Sequence, residues 1–192
     1  MSKILVFMYN GMADFEITYA THLLGNELSK DIVPCAYDMQ PVKSKGGMVY
    51  LPLITVGEAK AEDYEGFIIP GGWNPVVKAE MLALINDFYD KGKLLAAICA
   101  GPRYFAKAGI LSKVKYTTSI VDWNEMRREQ FQEEDPFPRE NFVNARVIRD
   151  GNVITSKGIS FVDFAIELAD YFGMFKDSAD KQAFFNTITG RE

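Results

Sequence analysis

Cys99 stands in the run Ala97-Ile98-Cys99-Ala100-Gly101, a small-x-nucleophile-x-small arrangement with the form of a nucleophile elbow, cysteine replacing serine and Ala97 the first glycine. Small flanking residues are needed there because the backbone turns so tightly between strand and helix that larger side chains collide. A helix beginning near Gly101 aims unsatisfied N–H groups and the positive end of its dipole at the sulfur. Thiols in such positions ionise at about 3.5–7.5 instead of about 8.5, so the expectation is a lowered thiol pKa and a thiolate nucleophile. A small buried hydrophobe at a strand end is an alternative reading of the same residues.

The other chemistry-bearing residues are few. Cys35 and Cys99 lie far apart without CxxC spacing, which points to neither a disulfide framework nor a zinc site, fits a reducing cytoplasm, and leaves Cys35 as a core residue of its strand. His22 is the single histidine of the chain. At about 100° per residue it falls about 140° from the apolar face of its helix, centred on Ile17 and Leu24, and so points to solvent. A Cys-His triad, and with it conventional cysteine-protease or glutaminase chemistry, is disfavoured. The run Glu133-Glu134-Asp135 reads as a solvated acidic loop rather than a metal site. Neither Gly46-Gly47 nor Pro70-Gly71-Gly72 forms a nucleotide-binding glycine pattern. No cofactor and no metal is expected. Trp73, Trp123 and Phe131 are candidates for a pocket wall, for core or for dimer contacts.

The elements that must position Cys99 follow from hydrophobic periodicity. Residues 3–9 (KILVFMY) form a short apolar run followed by a helical pattern over 16–28, with Ile17, Ala20, Leu24 and Leu28 on one face. Residues 32–37 read as a strand made irregular or peripheral by Pro34, and 48–53 as part of a small hairpin entered through Gly46-Gly47. The strand 66–69 ends abruptly at Pro70-Gly71-Gly72, and a helix follows from about Pro75 to Tyr89, stopped by Gly92. Strand 93–98 runs straight into Cys99 and a helix to about Ala108. A short strand is predicted over 115–118 and a helix plus long loop over 119–141. A hairpin over 143–148 and 152–155 turns at Asp150-Gly151, and closing helices span 161–172 and 181–188. Strands alternating with helices predict an α/β fold, a mostly parallel sheet covered on both faces, with ligands beyond the strands' carboxyl ends.

At 192 residues and 48% hydrophobic content the chain is read as one domain over 1–192. Its net charge of −5, with scattered Lys and Arg, offers no basic stripe for nucleic acid. No apolar run reaches the roughly 18–20 residues that span a bilayer, and residues 1–10 lack the features of a signal peptide. The expectation is a cytoplasmic protein without membrane or nucleic-acid partners.

The stretch LLAAICAGPRYFAKAGIL resembles the nucleophile-elbow region of the ThiJ/PfpI superfamily, a branch of the class I glutamine-amidotransferase-like folds. The run from Asn10 to Glu16 is similar to that family's glutamate-bearing loop and helix start, Phe67-Ile68-Ile69-Pro70-Gly71-Gly72 to its strand-PGG turn, and 147–166, with its DGN turn and TSKG segment, follows the family pattern. The resemblance implies a flavodoxin-like three-layer α/β/α sandwich in which Cys99 is the nucleophile and Glu16 the carboxyl group beside it. Alone, Glu16 reads equally as a helix-start carboxylate. The resemblance further implies an oxyanion-type pocket around Gly71, Gly72, Ala100 and Ser119. It also implies a homodimer. A thiolate and carboxylate in contact do not both ionise freely, so one shared proton is expected, held by Glu16 if helix N–H groups keep the thiolate.

This chain departs from the pattern where relatives carry histidine. Ala100 follows the cysteine directly, and Ser119 occupies the later position. The functions implied are a hydrolase-like, hydratase or glyoxalase-like enzyme using a Cys-Glu dyad on a small electrophile such as an aldehyde, isonitrile or amide. The alternatives are a redox-sensing, stress-protective protein whose Cys99 is oxidised to sulfinate, and a non-catalytic interaction module.

Overall fold

The computed structural model describes residues 2–74 and 76–191. Its seven-stranded sheet runs β5-β2-β1-β6-β7-β9-β8, built from β1 (Lys3–Phe7), β2 (Asp31–Ala36), β5 (Ile54–Thr55), β6 (Gly66–Ile69), β7 (Leu94–Ile98), β8 (Val147–Asp150) and β9 (Val153–Ser156). All neighbours pair in parallel except β8 and β9, the antiparallel hairpin closed by Asp150-Gly151. The central strands β6 and β7 are buried along their whole length, as parallel strands covered on both faces must be. A separate two-stranded ribbon, β3 (Val42–Lys43) with β4 (Val49–Tyr50), forms the hairpin expected around Gly46-Gly47.

The helices pair off: α1 (Phe15–His22) packs against α5 (Phe161–Tyr171), and α2 (Ala79–Asp90) against α3 (Pro102–Lys107). This is the flavodoxin-like three-layer arrangement. The mixed segment after Ser119 holds α4 (Glu125–Phe131), capped by the Asn124 side chain, which accepts the Arg127 N–H. The closing helix α6 (Ser178–Thr189) is capped by Asp177, which accepts from the N–H groups of Ala179 and Asp180. No helix of the described residues is long and apolar enough to cross a membrane.

Several boundaries differ from the pattern-based expectation, each for a physical reason. The helix over 16–28 is α only to His22 and widens into a π turn over Leu23–Glu27. Its successor on the other face is helical from Ala79, and the expected start at Pro75 lies outside the described residues. Pro34 sits inside the sheet, not at its edge. The N–H it lacks would face β5, which pairs only from Cys35 onward. Residues 115–118 are not a strand. Tyr116 makes a single parallel bridge to Phe142, and beyond it side chains take over: Thr117 N–H donates to Thr155 Oγ1 at 2.9 Å and Thr118 Oγ1 to the Cys99 carbonyl at 2.7 Å.

Glu133 is not solvated as expected. It receives Arg103 of α3 at 2.5 Å and also pairs with Lys107, while the buried Arg103 guanidinium lies 4.3 Å from the Phe131 ring centroid. Trp123 and Phe131 resolve to core, stacked at 5.5 Å, with the Trp123 indole N–H on the Glu133 carbonyl.

The α2 face is anchored by Phe88, fully buried, with Phe67 and Tyr64 at ring distances of 5.4 and 6.3 Å. Phe88→Ala is expected to lower unfolding stability by about 3–5 kcal/mol, read from the urea midpoint at unchanged slope.

Candidate active site

The elbow is visible in the backbone. Cys99 has φ +62, a left-handed conformation that costs a non-glycine residue about 1–3 kcal/mol. It persists because hydrogen bonds hold the residue at both ends. Its N–H donates to Ser156 O at 2.8 Å, and its carbonyl accepts the Ser119 N–H at 3.0 Å and the Thr118 hydroxyl at 2.7 Å. The turn also requires Gly101: a Cβ there would meet Ile69 O at 2.6 Å and Ile98 O at 2.9 Å.

Glu16, in the first turn of α1 and only 2% exposed, reaches this sulfur from the opposite side of the strand ends. Its Oε2 accepts the Gly71 N–H at 2.7 Å, and its carboxyl hydrogen-bonds Cys99. Two glycines form the walls of the slot that holds the pair. A Cβ on Gly71 would lie 2.6 Å from Glu16 Oε2 and 3.0 Å from Cys99 Sγ; one on Gly158 would lie 2.7 Å from Oε1 and 2.9 Å from Sγ. Neither position admits a side chain while sulfur and carboxyl stay in contact.

The titration differs from the sequence expectation. Burial, then the Glu16 charge, push the Cys99 thiol up to about 12 instead of down. Little offsets that rise, because most of the N–H groups at the helix start are already bonded. Gly101 N–H is spent on Ile98 O, Arg103 N–H on Ala100 O and Tyr104 N–H on Gly101 O, while Pro102 has none. Only the Ala100 N–H and the Ser119 hydroxyl are left to favour the thiolate. Burial likewise raises the Glu16 carboxyl, opposed by its bonds to Cys99 and Gly71. Burial is the first cause of both shifts; the Glu16 charge adds to the rise of the thiol, whereas the bond from Cys99 lowers the carboxyl, so the sulfur keeps its proton at neutral pH.

Ser119 connects three segments: its N–H holds the elbow, its Oγ accepts the Gly158 N–H at 2.9 Å, and its hydroxyl contacts the sulfur. Gly72 stands apart from the pair, where a Cβ would strike Tyr9 Oη and Gly11 O. Thus Cys99, Glu16, Gly71, Ala100 and Ser119 converge, and Gly72 shapes the turn behind them. His22 is exposed, and Cys35 is sealed in the core, its thiol raised by burial.

A cleft of about 550 Å³ opens above the sulfur, lined by Asp14, Phe15, Lys45, Trp73, Gly158 and Ile159 among others. Gly158, Asp14 and Lys45 were not singled out from the sequence. The TSKG run was the one available signal for Gly158, whereas Asp14 and Lys45 meet only through the fold of the hairpin, in which Asp14 Oδ2 accepts the hydroxyls of Ser44 at 2.7 Å and Tyr50 at 3.1 Å.

Residues 2–170 match the family model described as DJ-1/PfpI family. The chain is 25% identical over 187 residues to a Bacillus subtilis protein named "Uncharacterized protease YoaZ", covering 90% of this chain and 84% of that one. It is 22% identical over 158 residues to "Deglycase TK1284" of Thermococcus kodakarensis, covering 81% and 89%. Among solved structures, the DJ-1 superfamily protein Atu0886 of Agrobacterium tumefaciens superposes with a TM-score of 0.81 at 24% identity, over 99% of this chain and 98% of that one.

In Glu16→Gln no carboxylate opposes the sulfur, so complete thiolate formation moves to lower pH. Thiolate absorbance followed with the carboxyl ¹³C resonance of Glu16 is expected to give two steps in the native protein, the upper near pH 12. The variant is expected to give one step between them. An unshifted thiol curve would mean the two groups share no proton.

Proposed function

The chain belongs to the DJ-1/PfpI family, and on that premise we propose that it is a cysteine-dependent enzyme acting on small electrophiles through the Cys99-Glu16 pair. The observation that carries this reading is the convergence of a partly buried cysteine and a buried carboxyl in a slot between Gly71 and Gly158, open on one side to a cleft. Relatives named as protease and as deglycase are similar to this chain at 25% and 22% identity, so the family alone leaves the reaction open.

The pair supplies a balanced addition. The sulfur attacks an electrophilic carbon, an S–C bond forms, the π electrons of the C=O or C≡N group move to the heteroatom, and the proton held between Cys99 and Glu16 passes to that atom. Glu16 is left as carboxylate in contact with the Gly71 N–H. Its raised affinity for a proton suits it to give one up to a nascent anion and regain one from water at neutral pH. No histidine takes part, which favours reversible addition, hydration or hydrolysis of activated substrates over cleavage of unactivated peptides.

A redox role rests on a separate contrast between the two thiols. Cys99 is partly open to solvent while Cys35 is fully buried, so an oxidant reaches one sulfur and not the other.

Two outcomes follow. In a screen of methylglyoxal, isonitriles and small amides, turnover of at least one class is expected in the native protein and a fall of roughly 10³-fold or more in Cys99→Ser; activity surviving that substitution removes the sulfur from the mechanism. Limiting peroxide, read by peptide mass spectrometry, is expected to oxidise Cys99 well before Cys35, and equal labelling of the two would count against any special reactivity.

A further inference from the structure

We infer that the cleft selects an electrophile that is uncharged at its reacting end and carries an apolar body of ring size, an assignment that rests on the reading of Cys99 as the reacting group. Three segments that converge on the sulfur each place a large apolar residue next in sequence on the rim. Phe15 precedes Glu16, Trp73 follows Gly71-Gly72, and Ile159 follows Gly158. These side chains are 52%, 57% and 79% exposed. Single exposed apolar residues are ordinary on protein surfaces. Three around one opening, each tied by the backbone to the slot beneath, form a funnel whose width is set by the same contacts that hold the pair.

The rim is held in place. Phe15 is propped edge-on by Phe161 at 5.5 Å. The strand end before Trp73 is tied by Ala13 N–H on Gly71 O at 2.9 Å, and the turn before Ile159 by Gly158 N–H on Ser119 Oγ at 2.9 Å. At about 550 Å³ the cleft is within the range of small-molecule sites and holds a substituted ring. Each methylene moved from water onto such a wall strengthens binding about three- to fourfold.

Charge decides the other half of the assignment. Among the lining residues the ionisable groups are Asp14, Glu16, Lys45 and Cys99. Asp14 is bonded to the Ser44 and Tyr50 hydroxyls, and the opposite formal charges of Asp14 and Lys45 sum to zero across the cleft lining. One proton on the Cys99-Glu16 pair leaves it with one negative charge at the bottom of the cleft. A carboxylate or phosphate attached to the reacting carbon meets that charge head-on. An amide, aldehyde or nitrile does not.

Alkylation of Cys99 tests this without a known substrate: sulfur displaces iodide from carbon, an S–C bond replaces C–I, and the thiol proton goes to solvent. Second-order rates with iodoacetamide, N-benzyliodoacetamide and iodoacetate, each divided by the rate with glutathione, are read by mass spectrometry on the intact chain. The benzyl amide is expected to react at least tenfold faster than iodoacetamide, and iodoacetate at least tenfold slower. In the double variant Trp73→Ala, Ile159→Ser, two exposed positions outside the pair, the benzyl preference disappears: the ratio of the two amide rates falls to within twofold of the ratio with glutathione. Equal normalised rates for the two amides, a faster iodoacetate, or a preference that survives the double substitution overturns the assignment. A double variant that turns dimers into monomers with the preference intact also overturns it, because the rim then serves self-association. If no reagent labels Cys99 in the folded chain while all label it in guanidinium, it is the reactive-cysteine reading that fails, and the inference falls with it.

Discussion

One contact organises the rest of the molecule: a carboxyl group held against a sulfur atom in a slot with no room for a side chain on either wall. Water would keep these groups apart, since each prefers its own hydration and their charges repel. The fold opposes that tendency from four directions. β7 delivers Cys99, α1 delivers Glu16, the end of β6 closes one side with Gly71, and the turn after β9 closes the other with Gly158. Four segments far apart in sequence meet because β1, β6, β7 and β9 are neighbours in a parallel sheet and all end on the same edge.

The left-handed backbone of Cys99 is the strained point of this arrangement, and the long segment after α3 braces it. Thr118 and Ser119 hold the Cys99 carbonyl. The segment is held in turn by Glu133 on the Arg103 and Lys107 side chains of α3, the helix that leaves the elbow. Arg139 adds hydrogen bonds to the Ile120 and Val121 carbonyls. Residues 119–141, polar and irregular by composition, therefore act as a strap that returns to the helix it follows. A desolvated Arg–Glu contact is weak evidence for net stability, but it is demanding in geometry, and geometry is what the elbow needs.

Much of this was readable from the chain. Apolar runs over β1, β6 and β7 marked the buried strands, Asp150-Gly151 marked the hairpin, and the small residues around Cys99 marked the turn. Family resemblance, not spacing, brought Glu16 to the sulfur, because no local pattern links a helix-start glutamate to a strand end 83 residues away. What stayed hidden depends on which partner each polar group finds. The thiol was expected to be lowered by helix N–H groups, yet those of Gly101, Arg103 and Tyr104 are consumed within the turn itself. Glu133 looked solvated because composition does not record that Arg103 is buried beneath it. Gly158 looked like any loop glycine until its missing Cβ proved to be the space the pair occupies.

Absence of a histidine beside the sulfur narrows the chemistry through proton inventory. In a Cys-His pair the imidazole takes the thiol proton, becoming a cation, and returns it to a departing amine, becoming neutral again. On the proposed reading Glu16 takes the place of that imidazole, and burial raises its affinity for the proton it would carry. An addition in which the proton follows the electrons onto the new anion closes on this inventory with nothing left over. Expulsion of an unactivated amine needs the proton on the departing nitrogen, so a proton already delivered to the oxyanion must first be recovered. On the proposed reading, the carboxyl that adds to the difficulty of ionising the thiol also protonates its adducts, which fits electrophiles that need an addition more than a departure.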